Sequence, residues 1–152
     1  MEYRAGTFRI LENWKIERVN KETGEVLESQ EMCNLIVNDG LERVARLING
    51  NSSTYFQALA VGTGATAPTN TDVALGAEVT RSAATLTYEA SYKAKFQYTF
   101  SFGGDYAITE AGIFDSATVS GSKMLARTTF AAKNVSTIVQ LIVTATITVA
   151  RV

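Results

Sequence analysis

The sequence predicts a mainly β protein, an antiparallel β-sandwich with one short N-terminal α-helix. Apolar and polar residues alternate with a period of two over most of the second half of the chain, and only one stretch, near residue 40, repeats at helical spacing. Turn residues separate the alternating runs into seven to nine strands, the pattern of a sandwich. The length of 152 residues is that of one domain able to bury a sizeable core, and 46% hydrophobic against 19% charged residues with one proline is a globular composition.

Residues 12 to 33 read as a hairpin, with Trp14, Ile16 and Val26 as apolar members and Asn20-Lys21-Glu22-Thr23-Gly24 as the turn. This segment is rich in charge: 16 of the 29 charged residues fall in the first 50 positions. We therefore expect residues 1–33 to form a charged N-terminal hairpin that serves as an oligomer or attachment arm, and residues 34–152 to form the sandwich, beginning with a helix over 39–49. Asp39 and Glu42 have capping-box spacing, Leu41, Val44, Ala45 and Ile48 repeat at i, i+3, i+4 and i+7, and Gly50 supplies a stop. That apolar stripe predicts a buried face, with Glu42, Arg43 and Arg46 outward.

Phe56 to Val61 reads as a short apolar strand, followed by a small-residue loop from Gly62 to Asn70 and one helical turn over Asp72 to Ala77. Ala84 to Tyr92 and Ala94 to Phe102 alternate most clearly. Their row of Tyr88, Tyr92, Phe96, Tyr98, Phe100 and Phe102 is expected in the core. Ala107 to Phe114 and Ser122 to Phe130 form a second hairpin. Alternation from Val135 to Val149 would make a strand of about 50 Å, far beyond the usual ~17–20 Å, so it either bends between two sheets or extends past its own domain.

Several function classes drop out. With no histidine, the chain cannot build histidine-dependent triads, histidine-zinc sites or facial triads. One cysteine, Cys33, allows no internal disulfide or CxxC motif and reads as a partly buried strand thiol. A net charge of -1 gives no electrostatic footprint for nucleic acid or anionic lipid, and no stretch has the ~18–20 apolar residues of a membrane helix or the pattern of a secretion signal. No cofactor, metal, nucleic-acid or membrane partner is expected.

The remaining motifs have structural readings. Gly62-Thr63-Gly64 lacks the third glycine and the helix of a phosphate site, and Ser120-Gly121-Ser122-Lys123 has SxxK spacing but lies at a hairpin tip. Glu110 and Asp115, five apart, fall on opposite faces of a straight strand and do not pair for glycoside chemistry. Asn51 and Asn134 fit the glycosylation pattern and are taken as unmodified. Gly62, Gly64, Gly76 and Gly112 are expected at tight turns or close backbone approaches, with Glu110 and Asp115 ordering loops by accepting backbone N–H groups.

Four segments then stand in a recognisable order: Asn34 to Leu41, Leu59 to Pro68 running on to Ala74–Glu78, Ile108 to Asp115, and Met124 to Phe130 before a Thr/Val-rich final strand. This order resembles a loosely defined group of tailed-bacteriophage virion proteins of the tail, fibre or collar type. The resemblance implies a non-enzymatic structural subunit located in the virion, whose partners are copies of itself and other virion proteins. Symmetric assembly would need a contact surface, and Trp14 and Ile16 of the hairpin with Val139, Leu141 and Val143 of the last strand are the candidates. A receptor- or glycan-binding fibre module and a capsid-decorating protein are the alternatives.

Overall fold

The computed structural model describes residues 6–151. It is a β-sandwich of two five-stranded antiparallel sheets with one helix, in agreement with the predicted fold class. In chain order the elements are β1 (Phe8–Asn20), β2 (Val26–Met32), β3 (Leu35–Ile36), α1 (Asn38–Ile48), β4 (Ala58–Gly62), β5 (Glu78–Ala83), β6 (Thr85–Glu89), β7 (Lys93–Phe100), β8 (Tyr106–Phe114), β9 (Met124–Val135) and β10 (Val139–Arg151). The first sheet runs β2-β1-β10-β7-β6 and the second β3-β9-β8-β4-β5.

The period-two pattern decides what lies between the sheets. Trp14 and Ile16 from β1, Phe96 and Phe100 from β7, and Leu141, Val143 and Ala145 from β10 meet Leu59, Val61, Ala111 and Ile113 of the second sheet. A smaller apolar cluster of Val37, Ala58, Ala60, Leu75, Phe114 and Met124 accompanies it. The loop after β4 lies over the outer face of β8 and β9, where its residues reach Glu110 and Arg127.

The hairpin turn forms as expected, with the Asn20 side chain accepting from the Glu22 and Thr23 N–H groups and Gly24 at φ +73°. The arm does not. All thirteen residues of β1 pair with β10, so the hairpin is built into the first sheet, with β1 inside it and β2 as its edge strand. Trp14, Ile16, Leu141 and Val143 have no exposed surface, and Val139 is half-buried. The proposed oligomer contact is corrected accordingly: four of its five residues face the opposite sheet, because β1 and β10 direct their apolar faces inward. Residues 1–5 of the expected arm, and Val152 at the other end, lie outside the described residues.

The overlong alternating run resolves into the first of its two readings. Val135 ends β9 in the second sheet, Ser136 and Val139 hydrogen-bond across a turn, and β10 then runs in the first sheet. Residues 72–77 are irregular instead of one helical turn, for a reason given below.

Helix α1 departs furthest from expectation. Val37 occupies the N-cap with no side-chain cap, while Asp39 sits in the first turn, 3.8 Å from the Lys123 ammonium. Gly40 is buried because the helix lies directly on the Leu125 backbone, where a Cβ would overlap the carbonyl oxygen. That contact orients the helix so that Leu41 and Ile48 stay exposed and only Val44 of the stripe packs on the main core. The apolar face borders an open groove of about 460 Å³, between Leu41, Val44 and Ile48 on one side and Phe8, Ile10 and Ile36 on the other.

The aromatic row also divides. Phe96, Phe100 and Phe102 are core residues, but Tyr88 and Tyr92, at 72% and 66% exposure, project from the β6–β7 hairpin into solvent. Beyond Ala94 the row is backed by the second sheet, whereas β6 is an edge strand with little above it. Cys33 is exposed in the link between β2 and β3, where the chain leaves one sheet for the other.

Candidate functional site

The densest polar constellation lies on the outer face of the second sheet and is centred on Glu110. Strand β8 places Glu110 opposite Gly62 on β4 and Thr129 on β9, with Arg127 opposite Gly112 on the same face. Glu110 has no exposed surface and the Arg127 side chain only 3%. An isolated carboxylate there would carry a large desolvation cost, so its partners decide whether the site can exist.

Those partners fill it. Glu110 Oε1 accepts the Gly64 N–H at 2.9 Å and the Ala77 N–H at 2.8 Å. Oε2 accepts the Gly76 N–H at 2.9 Å and Arg127 Nε at 3.0 Å, with a terminal Arg127 nitrogen in ion-pair contact at 2.9 Å. Arg127 continues outward to the Asp72 carboxylate at 2.9 Å and the Thr66 carbonyl at 3.0 Å. Asp72 in turn accepts from the Thr69 N–H and hydroxyl, closing the turn over 69–72. Side-chain acceptors take over backbone donors along this stretch, which is why residues 72–77 do not complete a helical turn.

Burial, the largest single influence on Glu110, pushes its pKa up. The hydrogen bonds from Ala77, Gly76, Arg127 and Gly64 together outweigh it and hold the carboxyl below its ordinary value. Asp72 follows the same logic: burial raises it, and Thr69 and Arg127 bring it below the ordinary value.

The small residues around the carboxylate are explained by space. A Cβ on Gly64 would stand 2.5 Å from Glu110 Oε1, and one on Gly62 would strike both Glu110 Oε1 and the Ala77 carbonyl. One on Gly112 would meet the Phe114 ring at 2.9 Å and Leu75 at 3.0 Å, whereas Gly76 has its nearest neighbour at 3.3 Å. None of these four has a positive φ, so close approach accounts for them and turn geometry does not.

Asp115 builds a second, smaller anchor at the end of β8. Its carboxylate accepts from Arg43 of α1 at 2.8 Å and from the Lys123 N–H at 2.7 Å, and its own N–H donates to the Lys123 carbonyl. Glu110 and Asp115 are thus both buried yet serve separate networks, one fixing the loop after β4 and the other fixing α1 and the turn before β9.

Sequence reasoning missed Arg127, Asp72 and Arg43 as partners. Arg127 carried a usable signal, a cation inside the apolar run Met124-Leu125-Ala126, which in a buried strand requires an anion opposite. Glu12 was missed as well, although it shares the inward phase of Trp14 and Ile16. Chemically the Glu110 site is a clamp: both carboxylate oxygens and all three guanidinium nitrogens of Arg127 are engaged within the chain. The chain matches no protein-family model, no curated protein and no solved structure with which it was compared.

Proposed function

We propose that this chain is a non-enzymatic structural subunit of a tailed-bacteriophage virion, of the tail, fibre or collar type, working in contact with copies of itself and other virion proteins. The observation that carries the reading is convergence. Three of the four segments whose order resembles such proteins meet around one buried carboxylate: Gly64 from the second, Gly76 and Ala77 from its continuation, Glu110 from the third and Arg127 from the fourth. The first segment joins through the Asn38 N–H, which donates to the Asn70 carbonyl. A carboxylate committed to three backbone donors and an arginine locks a loop in place, a requirement of a part that must present one fixed shape in every copy of a repeating particle.

The test has two arms. Purified particles of a phage encoding the chain should contain it in stoichiometric amount by quantitative mass spectrometry, and antibody labelling should mark the tail or neck. A chain found in infected cells and absent from particles would overturn the reading, and labelling confined to the capsid would move it to a decorating protein.

A second reading is favoured by the exposed Tyr88 and Tyr92, which offer flat rings of the kind that stack on sugars. Binding to a glycan array that is lost in Tyr88→Ala would assign the chain to receptor recognition at a fibre.

A further inference from the structure

The other deeply buried carboxylate is Glu12, and its surroundings are the reverse of those of Glu110. Glu12 is 6% exposed and points between the sheets in phase with Trp14 and Ile16. Among the described residues neither carboxyl oxygen has a hydrogen bond of normal geometry, and the neighbouring Trp14 Nε1, like the Asn34 amide, is near enough only for a weak contact. The strands around it bring no countercharge. Across β10 it faces Ile147, with Ala145 next on the same side, and Met32 lies opposite Trp14 on β2.

The charged groups of these elements are engaged or directed elsewhere. Lys15 lies near Glu17, Arg18 bonds Glu28, and Lys133 of β9 is held by Glu28 and Gln30. Arg127 is on the far face of the second sheet with Glu110, and Arg9, Glu31 and Arg151 are exposed. On α1, Asp39 lies near Lys123, Arg46 bonds Glu42 and Arg43 bonds Asp115. Burial is the dominant influence and raises the Glu12 pKa from 4.5 to about 7, against smaller lowering effects from the Trp14 indole and the Asn34 backbone amide.

Position gives the group a consequence. Ile10, the preceding inward residue of β1, and Asn34 both line the apolar groove beside α1, and the Asn34 side chain also reaches the buried Thr128 hydroxyl at 3.4 Å. Glu12 therefore stands directly behind the groove wall, where the start of β1 meets the link into β3.

We propose that Glu12 is an acid–base switch of this end of the sandwich: enclosed as the neutral acid, it gives its proton to solvent, and the resulting carboxylate swings out past Asn34, loosening the start of β1 from β3 and widening the groove. An unpaired carboxylate is not tolerated in a dry core, and the exposed rim is the nearest water. In a chain without histidine, Glu12 supplies a change of charge near neutrality.

Trp14, the single tryptophan, is a built-in reporter. The intact chain, as wild type and as Glu12→Gln, is titrated from about pH 5 to about pH 8.5 while its emission and acrylamide quenching are followed, with ¹³C NMR of labelled glutamate carboxyls read in the wild type. We expect one glutamate carbon titrating with a midpoint of about 7. A several-fold rise in quenching of Trp14 should share that midpoint and be absent in Glu12→Gln. Glutamate signals that all titrate below about pH 5.5 would overturn the proposal, since an ordinary glutamate titrates near 4.3. A neutral titration without change in Trp14 quenching, or a quenching transition retained in Glu12→Gln, would overturn it equally. The NMR arm needs no variant, so a poorly folding Glu12→Gln leaves the question decidable.

Discussion

Glu110 and Glu12 are the same side chain at nearly the same depth, 0% and 6% exposed, on two faces of one sandwich. On the outer face of the second sheet, three backbone N–H groups and Arg127 surround Glu110 and hold it ionised, with its pKa below the ordinary value. Between the sheets, Glu12 has aromatic and aliphatic neighbours and, among the described residues, no well-formed hydrogen bond or countercharge, and burial drives its pKa up to about 7. Depth alone therefore does not set the state of a carboxyl group. The loop after β4 supplies donors that β-sheet packing cannot, because strand N–H groups are already committed to the ladder.

One substitution applied to both positions puts the difference to its hardest test. Glu110→Leu removes the acceptor for three loop amides and leaves the buried Arg127 with Asp72 as its one carboxylate, beside the Thr66 carbonyl, and we expect a loss of about 3–5 kcal/mol in urea unfolding at neutral pH. Glu12→Leu exchanges an unpartnered acid for a side chain suited to its apolar neighbours and should gain about 1–3 kcal/mol at about pH 8. Equal signs for the two changes would break the comparison. Arg127→Ala should approach the loss seen for Glu110→Leu, and the double variant should lose less than the two singles together, since neither charge then remains stranded.

The two groups also impose opposite pH dependences. Glu110 and Asp72 have folded pKa values below their unfolded values of 4.5 and 3.8, so their contribution is present above those values and is lost as pH falls through the lowered folded ones. Glu12 has a folded pKa above its unfolded value of 4.5: as pH rises from there to about 7, the unfolded chain releases a proton that the folded chain retains. Stability falls across that window and then levels off, by an amount on the order of 3 kcal/mol. The wild type should be most stable near about pH 5, on the acid side of the range usual for proteins. Denaturation midpoints measured from about pH 3 to about pH 9 check this, and Glu12→Gln should remove the neutral limb while leaving the acid limb intact.

What the sequence disclosed about these two sites follows from the range of its signals. Period-two alternation is local, so it identified the strands contributing Trp14, Phe96, Phe100, Leu141 and Val143 and the turn at Asn20–Gly24. Which surface lies against which is a non-local matter. The apolar faces of β1 and β10 therefore read as an oligomer surface when they are the core, and the stripe on α1 read as buried when the close contact of Gly40 with Leu125 turns it outward. Glu110 was legible as a loop-ordering acceptor from its neighbourhood of small residues. Its partners lie 17 to 46 positions away, beyond any spacing rule. Glu12 was missed because a lone acid in an alternating strand looks like an outward residue unless its phase is counted from Trp14 and Ile16.

The smallest effects test whether close approach sets the glycines of the clamp. Gly64 and Gly76 both donate to Glu110, and both have backbone angles open to alanine, so conformational preference does not separate them. Space does. A methyl group on Gly64 would fall 2.5 Å from Oε1 and 2.8 Å from the carboxyl carbon, forcing out an acid that is fixed by its other bonds. On Gly76 it would meet the Gly64 Cα at 3.3 Å and the Arg127 guanidinium at 3.5 Å, contacts that a slight shift of the loop relieves. Gly64→Ala should therefore cost about 1–3 kcal/mol, and Gly76→Ala less than about 1 kcal/mol, partly offset by the reduced freedom of the unfolded chain. Equal losses, measured by urea midpoints at constant slope, would mean that backbone freedom governs both positions and that the fit around Glu110 is looser than its four hydrogen bonds imply.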